Sequence, residues 1–146
     1  MALSGNISVR SAAAILRDRL PSGWALKEAT PPRGTRTAAD GYVRITAPGR
    51  TSGTLAVSLK RGLEPRQVVA IATGDGDAAH DATRLVAAPY LSPAVRERLE
   101  EAGLSYLDLT GNVRLEMTTP GLFVCTHGAD INPNRKERPS RSLRGA

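Results

Sequence analysis

Asp108, followed two residues later by Thr110, Gly111 and Asn112, sets a carboxylate, a hydroxyl and an amide just after an apolar, strand-like segment. At the end of a parallel strand, where α/β sheets commonly present their ligands, these groups could hold a small molecule. A conformational reading stands beside that one. Gly111 and Asn112 are residues that accept a positive φ, and Asp108 or Thr110 can hydrogen-bond the turn backbone, so a structural motif accounts for all four without a ligand. Other chemistry-bearing residues are scattered. His80 and His127 are the only imidazoles, and neither has metal-ligand spacing to Cys125 or to an acidic cluster, so no metal is expected. Cys125 has no CxxC partner, and the alternation over Leu122–Thr126 fits a buried packing thiol rather than a nucleophile. Ser58 and Ser92 lack a nucleophile elbow, and Gly74-Asp-Gly-Asp77 lacks the later acidic residue of a calcium loop.

Charge points elsewhere. The 146 residues carry a net charge of +6, with seventeen of the twenty basic residues being Arg, a usage typical of GC-rich bacterial codons. Residues 131–146 hold Arg135, Lys136, Arg138, Arg141 and Arg144 against Glu137, which leaves residues 1–130 with only +2. A solvated linker and a phosphate-contacting arm both fit such a tail. Aromatic residues make up 3% of the chain and fall on different elements, so duplex contact through Arg is a more natural nucleic-acid mode than base stacking. The single Cys125 excludes an internal disulfide. No apolar run of signal or membrane length opens the chain, and a soluble cytoplasmic protein is expected.

The elements that must position these groups follow from hydrophobic periodicity. Val9, Ala12, Ala13, Leu16 and Leu20 share one helical face, capped by Ser8 and stopped by Pro21-Ser-Gly23, which predicts a helix over 9–20. Residues 24–29, 42–47 and 54–60 alternate as strands, the last two joined as a hairpin through Pro48-Gly49-Arg50-Thr51-Ser52-Gly53. A short helix opens at Glu64-Pro65 and runs through Val68, Val69 and Ile71, followed by a mobile connection over 74–83. Residues 85–88 and 105–109 read as strands on either side of a helix that Ser92-Pro93 starts and Gly103 ends, so these two strands should run parallel. Arg96 and Arg98, interleaved with Glu97, Glu100 and Glu101, read as a salt-bridged helix surface. A closing hairpin over 113–117 and 122–126 turns at Pro120-Gly121, a pair suited to the centre of a type II turn. The expected fold is α/β, an α+β mixed sheet with helices on its faces. Residues 1–130 form the domain and 131–146 a basic linker.

That element order, a helix, a three-stranded meander and an αβαβ crossover before the C-terminal hairpin, resembles the restriction-endonuclease-like fold of the PD-(D/E)xK superfamily, with Asp40 opening the second strand and Lys60 closing the third. The resemblance spans roughly residues 8–126. Pro89-Tyr-Leu-Ser-Pro93, Gly103-Leu-Ser-Tyr-Leu-Asp-Leu-Thr-Gly-Asn112, Pro120-Gly-Leu-Phe-Val124 and the terminal Arg141-Ser-Leu-Arg-Gly145 look like a group of actinobacterial transcriptional regulators. In these a domain of this kind precedes a winged helix-turn-helix, an organisation similar to AbiEi-type antitoxins. Members of the superfamily that cut DNA hold Mg²⁺ with an acid on the second strand and a second acid two residues before the lysine. Here Asp40 and Lys60 match, but Ser58 stands where the second acid would be.

The resemblance therefore implies a degenerate, non-catalytic domain without a cofactor or metal, assisting double-stranded DNA binding or homodimer formation, with no membrane partner. Expected DNA contacts are Arg135, Lys136, Arg138, Arg141 and Arg144, then Arg33, Arg36, Arg44, Arg50 and Arg61 around the hairpin loops. A nuclease using a migrated acid such as Glu28 or Asp108, and a protein-interaction domain that does not touch DNA, are the alternatives.

Overall fold

The structure, a computed structural model, describes residues 7–30, 39–74 and 82–133. Helix α1, Val9–Arg19, begins at a reciprocal cap in which the Ser8 hydroxyl accepts from the Ser11 N–H at 3.1 Å and the Ser11 hydroxyl accepts from the Ser8 N–H at 2.9 Å. It stops where Pro21 forces Leu20 out of the helical region, to ψ 145. Strands β1 (Ala25–Ala29), β2 (Gly41–Thr46) and β3 (Ser52–Leu59) form an antiparallel meander. Helix α2, Gln67–Gly74, precedes β4 (Ala82–Ala88), which pairs parallel to β3. Helix α3, Pro93–Glu101, crosses to β5 (Ser105–Asp108), parallel to β4, and β6 (Val113–Met117) and β7 (Leu122–Thr126) complete a seven-stranded mixed sheet in sequence order. No described helix is long and apolar enough to cross a membrane.

Alternation along the strands divides the core between the two faces. Leu26, Val43, Ile45, Leu55, Val57, Leu85, Ala87, Leu107, Val113 and Leu115 pack under Ala12, Ala13 and Leu16 of α1. Val86, Ala88 and Tyr106 point the other way, against Val68 and Ile71 of α2 and Val95 and Leu99 of α3. Helices thus cover both faces, as the crossover connections require.

Several expectations need correction. β4 starts at Ala82, inside the stretch read as a mobile connection, because the ladder to β3 already begins at the Thr54–Ala82 pair. At the last hairpin the Thr119–Pro120 peptide is cis, and the positive-φ glycines of the described residues are Gly23, Gly103 and Gly111, so Gly121 does not take the type II position. Cys125 is exposed rather than buried, because β7 turns Leu122 and Val124 towards the core and its alternate residues outward. Arg96 is buried, only 7% exposed, whereas its helical neighbour Arg98 lies on the surface.

Candidate functional site

The parallel strands β3, β4 and β5 end at the same edge of the sheet, and most of the expected chemistry gathers there. The Asp40 N–H donates to the Val57 carbonyl at 2.8 Å, its Oδ2 accepts from the Leu59 N–H at 2.7 Å, and the Lys60 N–H donates to the Ala87 carbonyl at 2.9 Å. Asp40 is thus bound to the end of β3, where Ser58 and Lys60 follow in the chain, and no bond joins it to either side chain among the described residues. One oxygen of the carboxylate clamps the β3 backbone. A hydroxyl at Ser58 adds no charge beside it, while Mg²⁺ requires close to six oxygens in octahedral array, several of them anionic or water. Among the described residues no group of three or more His, Cys, Asp or Glu side chains is placed to hold a metal ion.

Asp108, at the end of β5, is 0% exposed and accepts five hydrogen bonds. Its Oδ1 receives the Thr110 N–H at 2.9 Å, the Thr110 hydroxyl at 2.7 Å and the Asn112 N–H at 3.2 Å, and its Oδ2 receives the Leu91 N–H and the Asn112 amide, both at 2.9 Å. No acceptor capacity remains for a ligand. The rest of the motif reaches the segment after β7. Asn112 Oδ1 accepts from the Gly128 N–H at 2.7 Å, Asn112 Nδ2 donates to the Ala129 carbonyl at 2.9 Å, and Thr110 Oγ1 accepts from the Ala129 N–H at 2.9 Å. Gly111 sits at φ 105, and a Cβ on Gly128 would collide with Thr110. Asp108, Thr110, Gly111 and Asn112 thus form a clasp rather than a binding site.

Arg96 extends the clasp. Its Nε donates to the Leu91 carbonyl at 2.9 Å and its Nη2 to Asp130 Oδ1 at 2.9 Å, tying the start of α3 to the same segment. His127 meets the same Asp130 oxygen at 3.1 Å. The hydrogen bond from Arg96, helped by His127 and opposed by desolvation, holds the Asp130 carboxyl below its ordinary range. Sequence reasoning missed Arg96, since its partner lies 34 positions away and no local spacing announces it. Nearby, the buried Tyr90 hydroxyl has no hydrogen-bond partner among the described residues, and burial pushes its phenol up while Arg96 acts in the other direction. Beneath α3, burial and Glu100 push the Tyr106 phenol up, its hydroxyl donating to Glu100 at 2.6 Å.

The expected cations are only partly brought together. Arg44 lies in the middle of β2, Arg50 in the β2–β3 turn and Arg61 beyond the far end of β3. The eight residues of β3 span about 25 Å, at roughly 3.3 Å per residue, so Arg61 is remote from the other two. Arg33, Arg36, Arg135, Lys136, Arg138, Arg141 and Arg144, with His80, lie outside the described residues. One cation was overlooked. Lys27 of β1 stands directly opposite Arg44 in the ladder, and both are exposed on the face turned away from Leu26, Val43 and Ile45. The alternation of Leu26 inward and Lys27 outward was its signal. Among the described residues no ion pair engages Lys27, Arg44 or Arg50.

Comparison with known protein families, with curated proteins and with solved structures finds no match to this chain.

Proposed function

We propose that this chain is a non-catalytic, endonuclease-like domain of a bacterial DNA-binding transcriptional regulator, which assists DNA binding by contacting the phosphate backbone. The observation that carries the reading is the Lys27–Arg44 pair. Like charges directly opposite on adjacent strands are destabilising, and among the described residues no ion pair offsets either of these two. A polyanion removes that repulsion, and duplex phosphates are the polyanion that the resemblance brings with it. The order α1, β1, β2, β3, α2, β4 and the attachment of Asp40 to the end of β3, which Lys60 follows in the chain, support an endonuclease-like core. Ser58 at the second acidic position speaks against the usual Mg²⁺ site, and an Asp108 carboxylate fully occupied by its own turn speaks against migration of the acid to Asp108.

Supercoiled plasmid incubated with the full chain and Mg²⁺ or Mn²⁺ should be retarded in a gel at low salt but never nicked. Nicking that disappears on Asp40→Ala would establish the nuclease instead. No retardation at any protein concentration would favour an interaction domain without DNA contact.

A further inference from the structure

The two outer strands of the sheet are built differently. β1 carries Lys27 and Glu28 within five residues, the kind of charge that keeps another strand from adding to an edge. β7, Leu122-Phe123-Val124-Cys125-Thr126, has no charge, no proline and no glycine, and pairs with β6 through all five positions without a bulge. Among the described residues no strand pairs with its outer side. Phe123 is 56% exposed and Cys125 is exposed, while Leu122 and Val124 are half-buried towards the core. An uncharged, unprotected edge with a large exposed ring is a template for β-addition.

We infer that β7 is a docking edge for a second copy of this chain, paired antiparallel about a twofold axis at Val124. An axis through the middle residue is the one that pairs all five positions. It sets Val124 against its own equivalent, Phe123 against Cys125 of the second copy, and Leu122 against Thr126. The charges agree with this occupant. β6 places Glu116 beside Phe123 and Arg114 beside Cys125, and the two pair with each other at 3.6 Å, so the charges flanking this edge are balanced within each copy and do not oppose a second one. Arg114 also lies over the Phe123 ring, 5.0 Å from its centroid, and holds it in place for the partner. This end of the sheet is neutral, whereas the opposite end holds the Lys27–Arg44 pair, which a second copy would repel. The contact is smaller than a standard protein interface, so the dimer is a weak one, forming at micromolar concentration or above. The inference does not depend on DNA and goes beyond the function proposed above.

Register-specific cross-linking of the full chain without DNA tests it. Directly opposed Cα atoms in an antiparallel pair lie about 4.5–5.5 Å apart, within disulfide reach, while the diagonal Cys125 pair would be about 7–8 Å apart, outside it. Under mild oxidation at high micromolar concentration, Val124→Cys in a Cys125→Ser background should form a covalent dimer at least about tenfold faster than the unaltered chain. Phe123→Lys, which changes only an exposed side chain, should raise the dimer dissociation constant about tenfold in sedimentation equilibrium, with circular dichroism unchanged, since burying much of a phenyl ring is worth about that factor. A chain that stays monomeric at every concentration overturns the inference. So do equal cross-linking rates through positions 124 and 125, and a Val124→Cys thiol that resists both oxidation and thiol reagents because the chain itself covers it.

Discussion

Asp108 shows at the residue scale how a group placed where ligands bind becomes part of the frame. Its five donors include the Leu91 N–H ahead of α3 and both donors of Thr110, all turned inward to one buried carboxylate. Asp108→Ala leaves several of these buried donors unsatisfied, and each such loss costs about 1–3 kcal/mol, so urea unfolding should show a loss of about 3–5 kcal/mol in total. Thr110→Val, which removes only the hydroxyl between Asp108 and Ala129, should cost about 1–2 kcal/mol in the same measurement. Asp130 supplies a pH signature. Its folded carboxyl titrates below the ordinary value of 3.8, so the Arg96–Asp130 contribution is complete above that value and is lost as pH falls through the lowered one. Thermal melts of the unaltered chain and of Asp130→Asn should therefore differ at neutral pH and converge under acid. A constant difference down to the lowest pH would show that Asp130 matters for something other than its charge. The turn chemistry of this motif was readable from Gly111, whereas Asn112 does not take a positive φ and instead holds residues 128 and 129 through its side chain, contacts that sequence spacing does not encode.

At the scale of elements, local signals were good where they were strong and misleading where they were two-sided. Ser8 and Ser92 caps, Pro93 at the first turn and the break at Pro21 set α1 and α3 nearly as expected. The parallel β4–β5 pair followed from the nine-residue helix between them. β7 failed in part, because alternation specifies two faces but not which of them meets the core; the choice fell to Leu122 and Val124, leaving Cys125 outside. Arg96 failed because a helix position between Val95 and Leu99 becomes buried once a carboxylate from a distant segment neutralises it. The β2–β3 turn offers a test of the element itself. Arg50 sits at φ 76, a left-handed conformation that costs a non-glycine residue roughly 1–2 kcal/mol, while glycine brings an entropic cost of roughly half to one. Arg50→Gly should therefore leave stability unchanged or raise it by about 1 kcal/mol while removing a charge. A loss of more than that would mean that the arginine side chain, not the turn, stabilises the hairpin.

Across the whole molecule, charge and shape separate. One end of the sheet carries the cations Lys27 and Arg44, which no ion pair engages among the described residues, the ends of the parallel strands carry a satisfied polar clasp, and the other edge is neutral. That distribution was only half legible in the sequence, since a net charge of +6 gives the sign of a partner and not the face that meets it. Register supplied the face, by setting Lys27 opposite Arg44. Fluorescence anisotropy of a short duplex, measured over a series of salt concentrations, tests the account most directly, because each phosphate contact adds roughly 0.9 to the slope of log affinity against log salt. For two duplexes of unrelated sequence the unaltered chain should bind with similar affinity, and Lys27→Glu with Arg44→Glu should weaken both alike and lower the slope by about 2. Truncation after Pro133 measures the share of the basic tail in the same assay. An unchanged slope and affinity in the doubly substituted chain, with its fold intact, would contradict the assignment of this face to DNA.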